Sequence, residues 1–288
     1  MIKTLLSQRW DDLLFAHWPV APSALRPLLP AGVEPDVRDG RSWVGVVAFR
    51  MTDTRAGGLF PPRGLGSIPE LNVRTYVTVG GRPGVWFLTL DTSSPLFAGV
   101  GRGLYGLSYR LASMIVVRHG GRIHYASVHG HASFVASYEP VGPPSAADAG
   151  SLQHWLCERY RLFALRAGHL VTAEVAHAPW LLQTADAHIE LNTLAPPGIE
   201  FTGPPLVHFS RGVDALISPP LRLELSVRAR ADAADHLAPG LLCPGQRHVP
   251  DVDAGEDRDR EDAHERRARP RRGVVPTRAF VPADREPV

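Results

Sequence analysis

The segment Pro69–Val77 alternates without a break. Leu71, Val73, Thr75 and Val77 fall on one side of an extended chain, and Glu70, Asn72, Arg74 and Tyr76 on the other. A solvent face would more usually carry Lys, Ser and Thr; an acid, an amide, a guanidinium and a phenol in register suit a polar ligand instead. The plainer alternative is a half-exposed strand with a cross-face ion pair. Ser42–Met51 is apolar on both faces, which predicts a strand buried on both sides or set in a barrel wall, and Arg50 near its end then needs a partner. After the turn Gly80–Gly84, Val85–Asp91 completes a hairpin with the first strand, with Val85, Phe87, Thr89 and Asp91 on one face.

The same reading gives strands over 13–20, 110–118, 122–128 and 131–139, a hairpin of 160–165 with 170–177, and strands over 206–211 and 213–217. Helices are predicted over Ala24–Leu29 behind Ser23, over Leu152–Glu158 behind Ser151, over Ala185–Leu194, and in part of Pro95–Leu107. Residues 53–68 read as a long loop, a candidate lid, and Pro140–Gly150 as a linker. Many short strands with few helices predict a mainly β (α+β) fold.

Composition changes this picture at a few points. At 44% hydrophobic and 21% charged residues, the 288-residue chain can bury a sizeable core. The net charge of +2 favours no partner, so neither nucleic acid nor membrane is expected. No apolar run approaches the roughly 20 residues of a membrane span, and the N-terminus does not read as a signal peptide. Cys157 and Cys243 lie far apart without metal-type spacing, which points to a reducing compartment and a cytoplasmic protein. From about Ala229 the chain loses its apolar pattern, and 256–272 is nearly all Arg, Asp, Glu and His. The expected organisation is one domain over 1–228 and a disordered charged tail over 229–288.

Lys3 is the only lysine, which excludes a buried amine nucleophile. Gly101-Arg-Gly-Leu-Tyr-Gly106 matches a dinucleotide-binding pattern by letter, but it falls late in a helical stretch rather than opening one, so no cofactor is expected. His119, His124, His129 and His131 lack an accompanying carboxylate or cysteine and do not make a metal site. His17 beside Trp18 reads as a core histidine next to a packed indole rather than a site residue.

Several segments together resemble the YqjF-like family of bacterial proteins: Leu14-Phe-Ala-His-Trp-Pro19, Trp43-Val-Gly-Val-Val47, Pro69-Glu-Leu-Asn-Val-Arg-Thr-Tyr76, Gly84-Val-Trp-Phe87, Leu104-Tyr-Gly-Leu107, Glu158-Arg-Tyr160, Pro179-Trp-Leu-Leu-Gln183 and His208-Phe209. They run in order across residues 10–218. The resemblance implies the acetoacetate decarboxylase-like fold, a closed, curved antiparallel β-barrel with a few peripheral helices and a cavity. Decarboxylases of that superfamily carry Gly-Arg-Glu-Ile-Tyr/Trp-Gly-Phe-Pro-Lys-Lys-Leu, and the matching run here is Gly101-Arg-Gly-Leu-Tyr-Gly-Leu-Ser-Tyr-Arg-Leu111. The Schiff-base lysine position is thus Tyr109 and its neighbour Arg110, so imine chemistry is not available. The active-site glutamate of the superfamily falls near Glu70 or Asn72. The resemblance ends near Arg222, and a shifted reading frame would account for the tail.

Three functions follow as expectations. The first is binding of a small polar or acidic metabolite in the cavity by Asn72, Arg74, Tyr76, Arg110 and Asp91. The second is cofactor-independent acid–base chemistry on a carboxylate or keto substrate, with Glu70 moving a proton and Tyr109 donating. The third is a structural, dimer-forming barrel; a homo-oligomer is admitted among the partners. Glu70 and Arg74 lie about 13 Å apart along the strand, too far to be direct partners. Arg74 is therefore expected to meet Asp91 or a bound anion.

Overall fold

The computed structural model describes residues 4–57 and 66–224. The expected tail at 229–288 and half of the candidate lid, residues 58–65, lie outside them; of its other residues, 53–56 and 67–68 belong to strands rather than to a loop. Among the described residues fourteen strands dominate: β1 (Leu6–Val20), β2 (Glu34–Pro35), β3 (Ser42–Ala56), β4 (Ser67–Val79), β5 (Arg82–Thr92), β6 (Tyr109–Leu111), β7 (Ser113–His119), β8 (Arg122–His129), β9 (Ala132–Ala146), β10 (Arg161–Arg166), β11 (His169–Ala176), β12 (Leu181–Asn192), β13 (Leu206–Ile217) and β14 (Leu221–Arg222). Three short helices join them: α1 (Pro22–Leu25), α2 (Pro95–Val100) and α3 (Leu152–Cys157). A π-helical turn, Gly101–Tyr105, extends α2.

The strand order runs β11-β10-β5-β4-β3-β1-β13, and β13 then pairs with β11 through Val175–Ile217 and Ala176–Leu216, so this path returns on itself. From β13 the sheet also continues through β12, β9 and β8 to β7. This second arm lies across the outer face of β1, β3 and β4. Leu14, Ala16, Val44, Val46, Leu71 and Val73 pack there with Ile123, Tyr125, Phe134 and Tyr138 of the arm. The opposite face carries Phe15, Val47, Phe49 and Tyr76, packed toward the ring interior with Trp180 and Leu182. That double burial is why Ser42–Met51 has no polar face. Arg50 finds its partner in Asp12, 2.5 Å away, where a bulge in β1 puts Asp12 at φ 58°.

Five expectations need correction. The sheet is mixed rather than antiparallel, because β5 pairs in parallel with β10 along its first half and with β6 along its second. Ala185–Leu194 is not a helix but most of β12; Ala185, Ala187 and Ile189 turn inward while Asp186, His188 and Glu190 face solvent, a period of two. Pro140–Gly150 is not a linker, since β9 runs to Ala146 against β12; β8 ends before it, leaving an open edge where prolines lose no ladder bond. The first helix starts at Pro22, so Ser23 lies within it rather than capping it. Residues 206–217 form one strand, with Gly212 where a Cβ would meet the Trp10 carbonyl at 2.0 Å. Ser151 does cap α3, accepting from the His154 amide.

Candidate functional site

A cavity of about 380 Å³ lies inside the ring. The strand registers order its wall. At one end Leu6 pairs with Ala56, and Glu70 with Thr92, just before the chain enters α2. Leu6, Thr54, Ala56, Leu96 and Val100 line the cavity at this end. Leu96 is 50% and Val100 40% exposed, so they mark a mouth. Toward the other end lie Arg74, Cys157 and Arg159. Between the ends the wall is aromatic, with Trp10 stacked on Trp180 at 6.3 Å and Phe49, Phe87 and Phe97 around them.

Glu70 and Tyr109 meet in the wall. The Tyr109 hydroxyl donates to Glu70 Oε2 at 2.6 Å, and Asn72 Nδ2 donates to Oε1 at 3.5 Å. Burial pushes the Glu70 carboxyl up to about 7 against the pull of these two donors, with Asp91 adding repulsion. Burial and the adjacent carboxylate hold the Tyr109 phenol well above its ordinary value. Tyr109 can approach because Gly101 has no side chain; a Cβ there would lie 2.3 Å from the Tyr109 ring. The result is a carboxyl near neutrality bonded to a phenol that keeps its proton, an arrangement able to give or take a proton at a bound molecule.

Arg74 is held differently from expectation. Its guanidinium lies 5.6 Å from the Phe15 ring and 5.7 Å from the Tyr76 ring. Its hydrogen bond is a long one, 3.5 Å to the Tyr76 hydroxyl, and its buried Nε has no partner. Among the described residues no carboxylate pairs with it. Nearby, Arg159 bonds Asp36 at 2.7 Å and stacks on Trp155, while its Nη2 is buried without a partner. Burial pushes the Cys157 thiol up to about 12, so it stays neutral beside them.

Asp91, expected opposite Arg74, instead takes a two-pronged bond from Arg110 at 2.6 and 3.0 Å. The cause is a bulge. The β4–β5 register shifts between Val73–Thr89 and Arg74–Phe87, leaving Leu88 unpaired. Val85, Phe87 and Leu90 therefore face the cavity, and Asp91 is turned to the far side with Leu71. Parallel pairing of β6 repeats the split, with Tyr109 beside Leu90 and Arg110 beside Asp91. Buried Asp91 and half-buried Arg110 thus form an ion pair behind this wall, outside the lining of the cavity. Of the predicted residues, the fold brings Glu70, Arg74 and Tyr109 to the cavity and keeps Asn72 and Tyr76 just behind them. Tyr76 is fully buried and bonds His17 Nε2 at 2.7 Å, and burial holds His17 neutral, so His17 is a core histidine as expected. Arg159 and Trp180 were not singled out as site residues; neither lies on an alternating face, and both sit in segments that carry the family resemblance.

Residues 7–214 match DUF2071, a family described as an uncharacterized conserved protein. The chain belongs to the DUF2071 family. A relative, the uncharacterized protein YqjF of Bacillus subtilis, is 39% identical over 220 residues, covering 75% of this chain and 91% of that one. Solved structures of similar fold include an acetoacetate decarboxylase from Legionella pneumophila, with 14% identity, a TM-score of 0.58 and coverage of 78% of this chain and 89% of that one. The enduracididine biosynthesis enzyme MppR gives 15% and 0.57, with 78% and 90% covered. An acetoacetate decarboxylase-like enzyme from Sphingomonas wittichii gives 18% and 0.55, with 78% and 95% covered. At these identities the likeness shows the fold: this DUF2071 member is a mainly β protein of the acetoacetate decarboxylase-like kind.

Proposed function

We propose that the chain binds a small organic acid inside the ring, which we read as a closed barrel, and that it does so without imine chemistry. The observation that carries this is Arg74, a half-buried guanidinium in the cavity wall with a buried, unpartnered Nε and no carboxylate partner among the described residues. An arriving carboxylate would supply this guanidinium with charge-assisted hydrogen bonds. The free Nη2 of Arg159 is a second donor for the same anion. The fold neighbour MppR has been described with pyruvate, an acid of this class. The separated cysteines favour a cytoplasmic setting. Calorimetric titration with a panel of carboxylic acids and their amides tests the reading. Acids should bind, amides should not, and Arg74→Leu should abolish acid binding while leaving the protein folded. Equal binding of acid and amide would overturn it.

A second reading is favoured by one observation, the carboxyl of Glu70 near pH 7 in contact with Tyr109. In that reading the cavity is catalytic, and Glu70 moves a proton on the bound acid. Deuterium exchange into an acid that binds, followed by NMR, should be faster with protein than without it and lost in Glu70→Gln. Exchange at the same rate in both proteins would leave the cavity a binding site alone.

A further inference from the structure

Resting on the site just described, we propose that the acid is amphiphilic: a monocarboxylic acid with an alkyl or aryl-alkyl body, bound head-inward, its carboxylate on Arg74 and its apolar end toward the mouth between Leu96 and Val100. Three independent features of the cavity point this way.

The first is size. A cavity of about 150 Å³ accommodates one six-carbon ring. The 380 Å³ found here is more than twice that. It suits a ligand of roughly ten to fifteen non-hydrogen atoms, by comparison with that ring and with ordinary ligand pockets. A compact keto acid would leave most of the space to water against an apolar wall, and that wall would gain nothing from the ligand.

The second is the order of polarity along the ring. Arg74 and the free Nη2 of Arg159 lie toward one end. The strand registers put Leu6, Ala56, Leu96 and Val100 at the other, beyond Glu70. Between them, the groups facing the space are mainly aromatic and aliphatic. Glu70, the acid on this route, has its carboxyl raised to near neutrality and its Oε2 covered by Tyr109, so it repels an apolar chain less than an open carboxylate would. A ligand with one charged end and one apolar end matches this gradient in a single orientation; a ligand polar at both ends does not.

The third is the mouth. Leu96 and Val100 are large apolar residues, half or nearly half exposed, and both also line the cavity. Thr54 adds one hydroxyl at this end, beside the apolar Leu6, Ala56, Leu96 and Val100. An apolar rim continues the wall outward, which lets a longer chain keep burying methylenes up to the opening.

The experiment is calorimetric titration of the full chain with straight-chain monocarboxylates from butanoate to dodecanoate, with pyruvate and acetoacetate as compact acids and the primary alcohols as headless controls. Affinity should rise about fourfold for each methylene buried and level off once the chain reaches the mouth. The alcohols should lag at every length. Arg74→Leu should erase the advantage of acid over alcohol. Leu96→Gln, an uncharged polar change at a half-exposed position, should weaken the long acids several-fold more than it weakens butanoate. Compact keto acids binding through Arg74 as tightly as the long acids would overturn the amphiphile and keep the acid site. A chain-length gain with no dependence on Arg74, or no acid binding at all, would overturn both.

Discussion

Replacing Glu70 by Gln tests the electrostatics of the cavity wall without touching its shape. The carboxyl of Glu70 rises from an ordinary 4.5 to about 7, chiefly because folding strips its water. A group whose folded pKa is raised holds its proton in the native state at a pH where the unfolded chain has released it. Stability therefore falls as pH rises between those two values and is flat outside them. At about 1.4 kcal/mol per pH unit, the window from 4.5 to about 7 amounts to roughly 3 kcal/mol lost by the wild type and not by Glu70→Gln. Buried histidines act in the opposite sense. Burial holds His17, His177 and His208 below 6.5, so each withdraws stability as pH falls under that value. Both proteins contain them, and the difference curve cancels them. The assay is urea unfolding of both proteins at half-unit steps of pH. The stability of wild type minus variant should decline across the window and be level above and below it. Parallel curves would mean that Glu70 is solvated or ionised in the folded protein, and the proton-transfer reading would fall with it.

Tyr109→Phe removes a donor that pulls the Glu70 carboxyl down, so its titration midpoint should move above 7, read by NMR of labelled glutamate; no movement would deny the hydrogen bond. Arg110→Met leaves Asp91, 1% exposed, without its ion pair and should destabilise by about 3–5 kcal/mol in urea unfolding while acid binding persists. Gly101→Ala puts a methyl against the Tyr109 ring and should shift the Glu70 midpoint upward as Tyr109→Phe does. Borohydride with a β-keto acid should add mass nowhere in the cavity wall, because none of the described residues is a lysine.

The face of β4 was legible because alternation within one strand is a local property: the residues at 70 and 74 had to share a side. The phase between strands is not local. A single unpaired residue, Leu88, inverted the second half of β5 and turned Asp91 away from the cavity, and nothing in the alternation of 85–91 announces it. The same limit hid the parallel pairing of β6 and β10, which depends on where α2 and α3 return the chain. Ala185–Asn192 did carry its period of two, but alanines support a helix as readily, and the contacts with the arm decided. Arg159 follows α3 with no pattern around it. Its meaning comes from Asp36, more than a hundred residues earlier, and from an unused donor atom.

The way the ring closes has a consequence for how the protein is made. Among the described strands β1 is made before all the others and its partner β13 after all but β14: Leu6 waits for Ile217. Until then β1 has an open edge, and the space inside the ring has no complete wall. Contacts so distant in sequence make for slow folding and leave strand edges exposed during synthesis. The acid proposed above would have nothing to grip in that interval. Its help arrives after closure, so saturating amounts should slow unfolding and leave the rate of refolding almost unchanged.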